Sequence, residues 1–116
     1  MKEGFYSISF SGAYGDGFGM LVLEDGLVVG ADAAGGTYDG TYEKSLLAGF
    51  VNLAITATAP PGARPVQTGV PLTAAVAFQI KATITRKLGD HSAPITVQTP
   101  LGTVDVVLRK IRDFPH

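Results

Sequence analysis

The chain has 116 residues, 46% of them apolar, with a formal net charge of -1 from 9 basic and 10 acidic residues. Together with a mean hydropathy of +0.26, these values describe one folded domain over residues 1–116 with a modest core rather than a disordered chain. They leave no electrostatic footprint for nucleic acid or an anionic membrane surface. The absence of cysteine excludes disulfides, thiolate zinc sites and cysteine nucleophiles.

Charged residues make up 16% of the chain, against about 25% in an average domain. So lightly charged a surface favours self-association, although the Thr and Gly content also accounts for it. The start of the chain lacks the basic-then-apolar pattern of a signal segment. No apolar run reaches the roughly 18 residues of a membrane-spanning helix. The expected location is the cytoplasm.

Tyr6, Ile8 and Phe10 alternate with Ser7, Ser9 and Ser11, the period-two signature of a half-buried antiparallel strand. Gly12, Gly15 and Gly17 predict a flexible turn. A second apolar run, Phe18 to Leu23, ends at Asp25-Gly26, a strong hairpin signal because the turn needs positive φ. Leu27 to Ala31 returns, and Asp32 to Gly36 is a small-residue connection. Thr37 to Tyr42 alternates again, with Gly40 marking a bulge or bend. Glu43 to Ala48 fits a loop or a single helical turn.

Phe50 to Thr58 places Val51, Leu53, Ile55 and Ala57 on one face. The stretch from Ala59 to Pro71 carries Pro60, Pro61, Pro65 and Pro71. It sustains neither helix nor central strand and reads as a lid or excursion. Val76 to Thr85 shows the cleanest alternation in the chain. Leu88 to Pro94 reads as a turn, and Ile95 to Thr99 with Thr103 to Ile111 form a last hairpin. The tail from Arg112 to His116 reads as frayed. Eight short strands with frequent turn signals predict an all-β fold, an eight-stranded antiparallel up-and-down β-barrel. Its interior holds side chains or one small ligand.

The opening stretch resembles the GrlR-like family, negative regulators of type III secretion gene expression. The residues that carry the likeness are Lys2-Glu3-Gly4-Phe5-Tyr6-Ser7-Ile8, the Gly26 hairpin, the Gly30-Ala31-Asp32 step and Tyr38-Asp39-Gly40; together they span about the first 45 residues. The resemblance implies a lipocalin-like (calycin) barrel that forms a homodimer. It also implies transcription regulation by protein–protein sequestration of an activator, without contact to DNA. The family's partner loop is an acidic Glu-Asp-Glu-Asp run. The matching region here is Glu43, Lys44 and Ser45, one acid and one base, which removes that charge complementarity.

Read residue by residue, the chain offers few chemical sites. Gly15-Asp16-Gly17-Phe18-Gly19 superficially matches a phosphate-binding loop, but such a loop needs a helix behind it, and a strand follows here; the turn reading is preferred. His91 beside Asp90, and the terminal His116, do not assemble a zinc site or a nucleophile elbow. Asp32 is expected to accept backbone hydrogen bonds in its turn and Asp39 to be solvated. No catalytic, metal or cofactor-binding residue is assigned.

Tyr6, Phe10, Tyr38, Tyr42 and Phe78, with Phe50, are read first as core. The alternative is a cavity lining for a small apolar ligand. The expected function is a non-enzymatic regulatory or binding protein. An apolar-ligand carrier with the proline-rich segment as lid, and a small barrel enzyme, are the other classes.

Overall fold

The computed structural model describes residues 3–85 and 94–115. Its strands are β1 (Gly4–Gly12), β2 (Gly15–Glu24), β3 (Leu27–Asp32), β4 (Thr37–Lys44), β5 (Phe50–Ala59), β6 (Val76–Thr85), β7 (Ile95–Thr99) and β8 (Gly102–Asp113). No helix occurs among the described residues. All ladders are antiparallel, in the order β6-β5-β4-β3-β2-β1-β8-β7. Because β1 pairs with both β2 and β8, the meander curls until its edge strands β6 and β7 come alongside each other. The result is the nearly closed, all-β, eight-stranded barrel that the alternation predicts.

Alternation sets the inside and the outside. Tyr6 and Ile8 of β1 are buried while Ser9 and Ser11 are exposed. Val51, Leu53, Ile55 and Ala57 of β5 are all buried on one face. The tightest packing lies where β1, β2 and β3 meet at one end of the barrel. There Tyr6, Leu23 and Val28 are the largest fully buried side chains, with Leu23 directly opposite Val28. Burial of the Leu23 and Val28 side chains stabilises the fold by roughly 1.5–3 kcal/mol each. We call this the packed end.

Two backbone features follow from residue type. The β2–β3 hairpin turns on Asp25 and Gly26, at φ 52° and 79°, the paired left-handed conformation of a two-residue hairpin turn. Gly40 faces inward on β4, where a Cβ would collide with the Ala54 carbonyl of β5. The expectation of a bulge there is not met, since the β4 ladders run in continuous register. Close strand approach is the reason for the glycine. The irregularity lies instead between Phe5 and Tyr6 in the β1–β8 ladder.

Three further expectations are corrected. Gly15 to Gly19 form the first half of β2 rather than a turn. Gly17 is kept small by the Phe10 ring lying against it. Glu43 and Lys44 continue β4, and no helical turn follows. The C-terminal stretch is not frayed as far as it is described: β8 runs to Asp113, and Phe114 stacks on Phe5 at 5.7 Å with a 7° interplanar angle.

The inside–outside assignment is testable. Leu23→Ala is expected to lower the unfolding free energy by about 2–5 kcal/mol, whereas Ser9→Ala on the outer face changes it by no more than about 0.5 kcal/mol. Urea titration of both variants measures this, and comparable losses would refute the assignment.

Candidate functional site

The opposite end of the barrel is built differently. It is formed by the β1–β2 turn, the connection 33–36, the β7–β8 turn and the long connection 60–75. Prolines keep that connection out of the sheet, and it folds back on itself through Gly62 N–H to Leu72 O at 2.7 Å and Leu72 N–H to Ala63 O at 2.9 Å. A tight turn follows, with Gly69 N–H donating to Pro65 O at 2.7 Å. Two hydrogen bonds tie this strap to the rim. Tyr14 N–H donates to Val66 O at 2.8 Å, and the Gln67 amide donates to Thr99 Oγ1 at 3.2 Å. Val66 is buried, its carbonyl lying over Gly12.

Beneath the strap lies a cavity of about 420 Å³, within the range of roughly 300–1,000 Å³ typical of small-molecule sites. Its wall is mainly apolar. Phe10, Leu21, Ile55, Phe78, Ile80 and Val106 contribute from strands around the barrel, and Pro65 and Val66 from the strap. The cavity explains a pattern in the burial. The inward residues Phe78, Ile80 and Ala82 of β6 are only half-buried, because they border open space rather than packed neighbours.

The polar groups gather at the rim: Asp16, Asp32, Thr58, Arg64, Gln67 and Thr99 all line the cavity. Asp32 is the best organised. Its Oδ1 accepts from Ala34 N–H at 3.0 Å and Gly36 N–H at 2.8 Å, and its Oδ2 accepts from the Tyr38 hydroxyl at 2.6 Å. This is the turn-closing role expected of Asp32, with the phenol as an additional partner. Burial, reinforced by the hydrogen bond to Asp32 and its charge, pushes the Tyr38 phenol far above its ordinary value. At neutral pH Tyr38 is therefore a fixed hydrogen-bond donor.

Of the aromatic residues considered as cavity lining, Phe10, Tyr38 and Phe78 border the cavity. Tyr6 lies in the buried cluster, and Tyr42 packs against that cluster; neither is among the lining residues. Asp39 is exposed on the outer face of β4. Asp90, His91 and His116 lie outside the described residues. Among those described, no group of three or more His, Asp or Glu side chains is placed to hold a metal ion. No described helix is long and apolar enough to cross a membrane.

Glu43, Lys44 and Ser45 sit at the end of the barrel away from the strap. Glu43 and Lys44 close β4, and Ser45 Oγ accepts from Leu47 N–H at 3.1 Å. Leu46 and Leu47 beside them are exposed. The rim residues Asp16, Arg64, Gln67 and Thr99 escape sequence reasoning, since Asp16 and Thr99 are ordinary strand-end residues and Arg64 and Gln67 come to the cavity only through the fold of the strap. The one available signal is the length and proline content of the connection. A comparison with protein-family models finds no match to this chain, and no curated protein sequence matches it.

The Tyr38–Asp32 pair makes a pH prediction. The folded-state pKa of Tyr38 is raised above its unfolded value of 10.0. Its stabilisation is therefore complete below pH 10 and is lost as pH rises past the unfolded value, where only the unfolded chain ionises. Wild-type stability should fall relative to Tyr38→Phe above about pH 10. Paired denaturation curves across alkaline pH test this, and parallel profiles would disprove it.

Proposed function

We propose that this protein is a non-enzymatic binding protein that takes a small, mainly apolar ligand into the barrel interior, with the strap over residues 60–75 as lid. The observation that carries the reading is the apolar cavity of about 420 Å³ between the packed end and the strap. A barrel of this strand number fills with side chains or holds one small ligand. Here small residues, Ala57, Ala82 and Gly17, stand on the cavity wall. A neutral apolar fluorophore such as N-phenyl-1-naphthylamine should bind with enhanced emission. Ala82→Phe, which places a ring in the cavity, should abolish that binding while the melting transition is retained. Undiminished binding in Ala82→Phe would refute the interior site.

A second reading, regulation by protein binding as the likeness to GrlR-like regulators implies, is supported by the outer wall. Phe18, Met20, Leu27 and Val29 are exposed on β2 and β3. Met20, Leu27 and Val29 lie among the directly paired positions Met20–Ala31, Val22–Val29 and Glu24–Leu27. An apolar face of this kind suits an isologous contact with a second copy of the chain. Sedimentation analysis should show a dimer that Val29→Glu dissociates. A wild-type monomer at high concentration would rule that contact out.

A further inference from the structure

The interior site has a chemically uneven rim, and the unevenness bears on what it holds. Three charged residues line the cavity: Asp16, Asp32 and Arg64. Asp32 is already satisfied by two backbone N–H groups and the Tyr38 hydroxyl. Asp16 is exposed near the start of β2, opposite Ser11, with its carboxylate open to water. Arg64 differs from both. It sits on the strap between Ala63 and Pro65, whose backbones are fixed by Leu72 N–H to Ala63 O at 2.9 Å and Gly69 N–H to Pro65 O at 2.7 Å. Among the described residues no carboxylate lies within ion-pair distance of its guanidinium.

We propose that the ligand is an amphiphile with an anionic head, its apolar body in the barrel and its head at the rim on Arg64. The inference rests on the interior-binding reading and adds the chemical class of the ligand to it. A guanidinium offers a planar fork of donors that matches a carboxylate or phosphate bidentately. Its anchored backbone holds the stem beside the place where an apolar chain leaves the cavity. The apolar wall accepts the body without regard to charge, so the head group decides among chains of equal length. Asp32 forms no ion pair with Arg64; its oxygens accept instead from the Tyr38 hydroxyl and the turn amides.

Decanoate, decanol and decyltrimethylammonium, which share one apolar chain, separate the contributions. Each is titrated at neutral pH and low salt against the bound naphthylamine fluorophore. Decanoate should bind about five-fold more tightly than decanol, the scale of a solvent-exposed ion pair, and added salt should shrink the difference. Arg64→Gln should bring decanoate to the affinity of decanol and leave decanol unchanged. Arg64→Lys should keep most of the preference.

A preference for the cation would overturn the proposal and make Asp16 and Asp32 the head-group site. So would equal binding of decanoate and decanol, or a decanoate preference that survives in Arg64→Gln. In each of those cases the interior-binding reading stands, because the apolar chain still binds. If none of the three displaces the fluorophore, and the fluorophore itself does not bind, both readings fail together.

Discussion

The ladder between β1 and β8 is the contact on which the rest of the barrel depends. It joins the two ends of the described chain, with Gly4 opposite Asp113 and Ser11 opposite Asp105. Ser7 and Arg109, linked by a side-chain hydrogen bond, are 102 positions apart. Every other ladder pairs strands that follow one another in sequence. Those ladders close shorter loops, the longest being the connection 60–75, whereas β1–β8 closes nearly the whole chain at a larger entropic cost. Without it the sheet β1 to β6 and the β7–β8 hairpin would be joined by no ladder, and neither the packed end nor the cavity would exist. Beside the register shift at Phe5 and Tyr6, the stacking of Phe5 on Phe114 adds a side-chain contact to this closure.

Once closed, the barrel divides its interior by side-chain size. Tyr6, Leu23, Val28 and Val51 fill one end to near-complete burial. Towards the other end, Gly17 and Ala57 stand in place of large side chains, and open space remains. Empty apolar volume forgoes dispersion contacts and lowers stability. A ligand that occupies it restores those contacts, and it stabilises the folded state in proportion to the logarithm of its concentration over its dissociation constant. The same arrangement explains why β6 has the most regular alternation in the sequence while its inward Phe78, Ile80 and Ala82 are only half-buried.

The architecture was legible because period-two alternation is local: Tyr6-Ile8-Phe10, Val51-Leu53-Ile55-Ala57 and Phe78-Ile80-Ala82 each declare their inner face without reference to other strands. Asp25-Gly26 declares its turn in the same way, and the acceptor role of Asp32 follows from the short glycine-rich connection behind it. Occupancy of the interior was not legible. Whether Phe78 packs or borders space depends on residues opposite it in the barrel, which no local pattern encodes. Gly15 to Gly19 read as a turn because glycine signals flexibility; the inward Gly17 is instead small to admit the Phe10 ring. The rim set was hidden for a related reason, since Arg64, Gln67 and Thr99 converge only through the fold of the strap.

Within the ligand-binding reading, the path to the interior follows from what holds each element in place. The strands are fixed by ladders of backbone hydrogen bonds on both sides, except along β6 and β7. The strap is tied to the rim by Tyr14 N–H to Val66 O and Gln67 to Thr99. Each such bond contributes only about 0.5–1.5 kcal/mol net. Pro60, Pro61, Pro65 and Pro71 restrict the backbone of the strap, and its own internal hydrogen bonds keep it folded. It is therefore suited to lift as a unit rather than unravel. Release of those two ties, together with the withdrawal of Val66, opens the cavity at far smaller cost than separating a pair of strands. Because Arg64 rides on the same segment, a ligand whose head engages it would draw the strap down over its own apolar body, coupling recognition of the head to closure of the site.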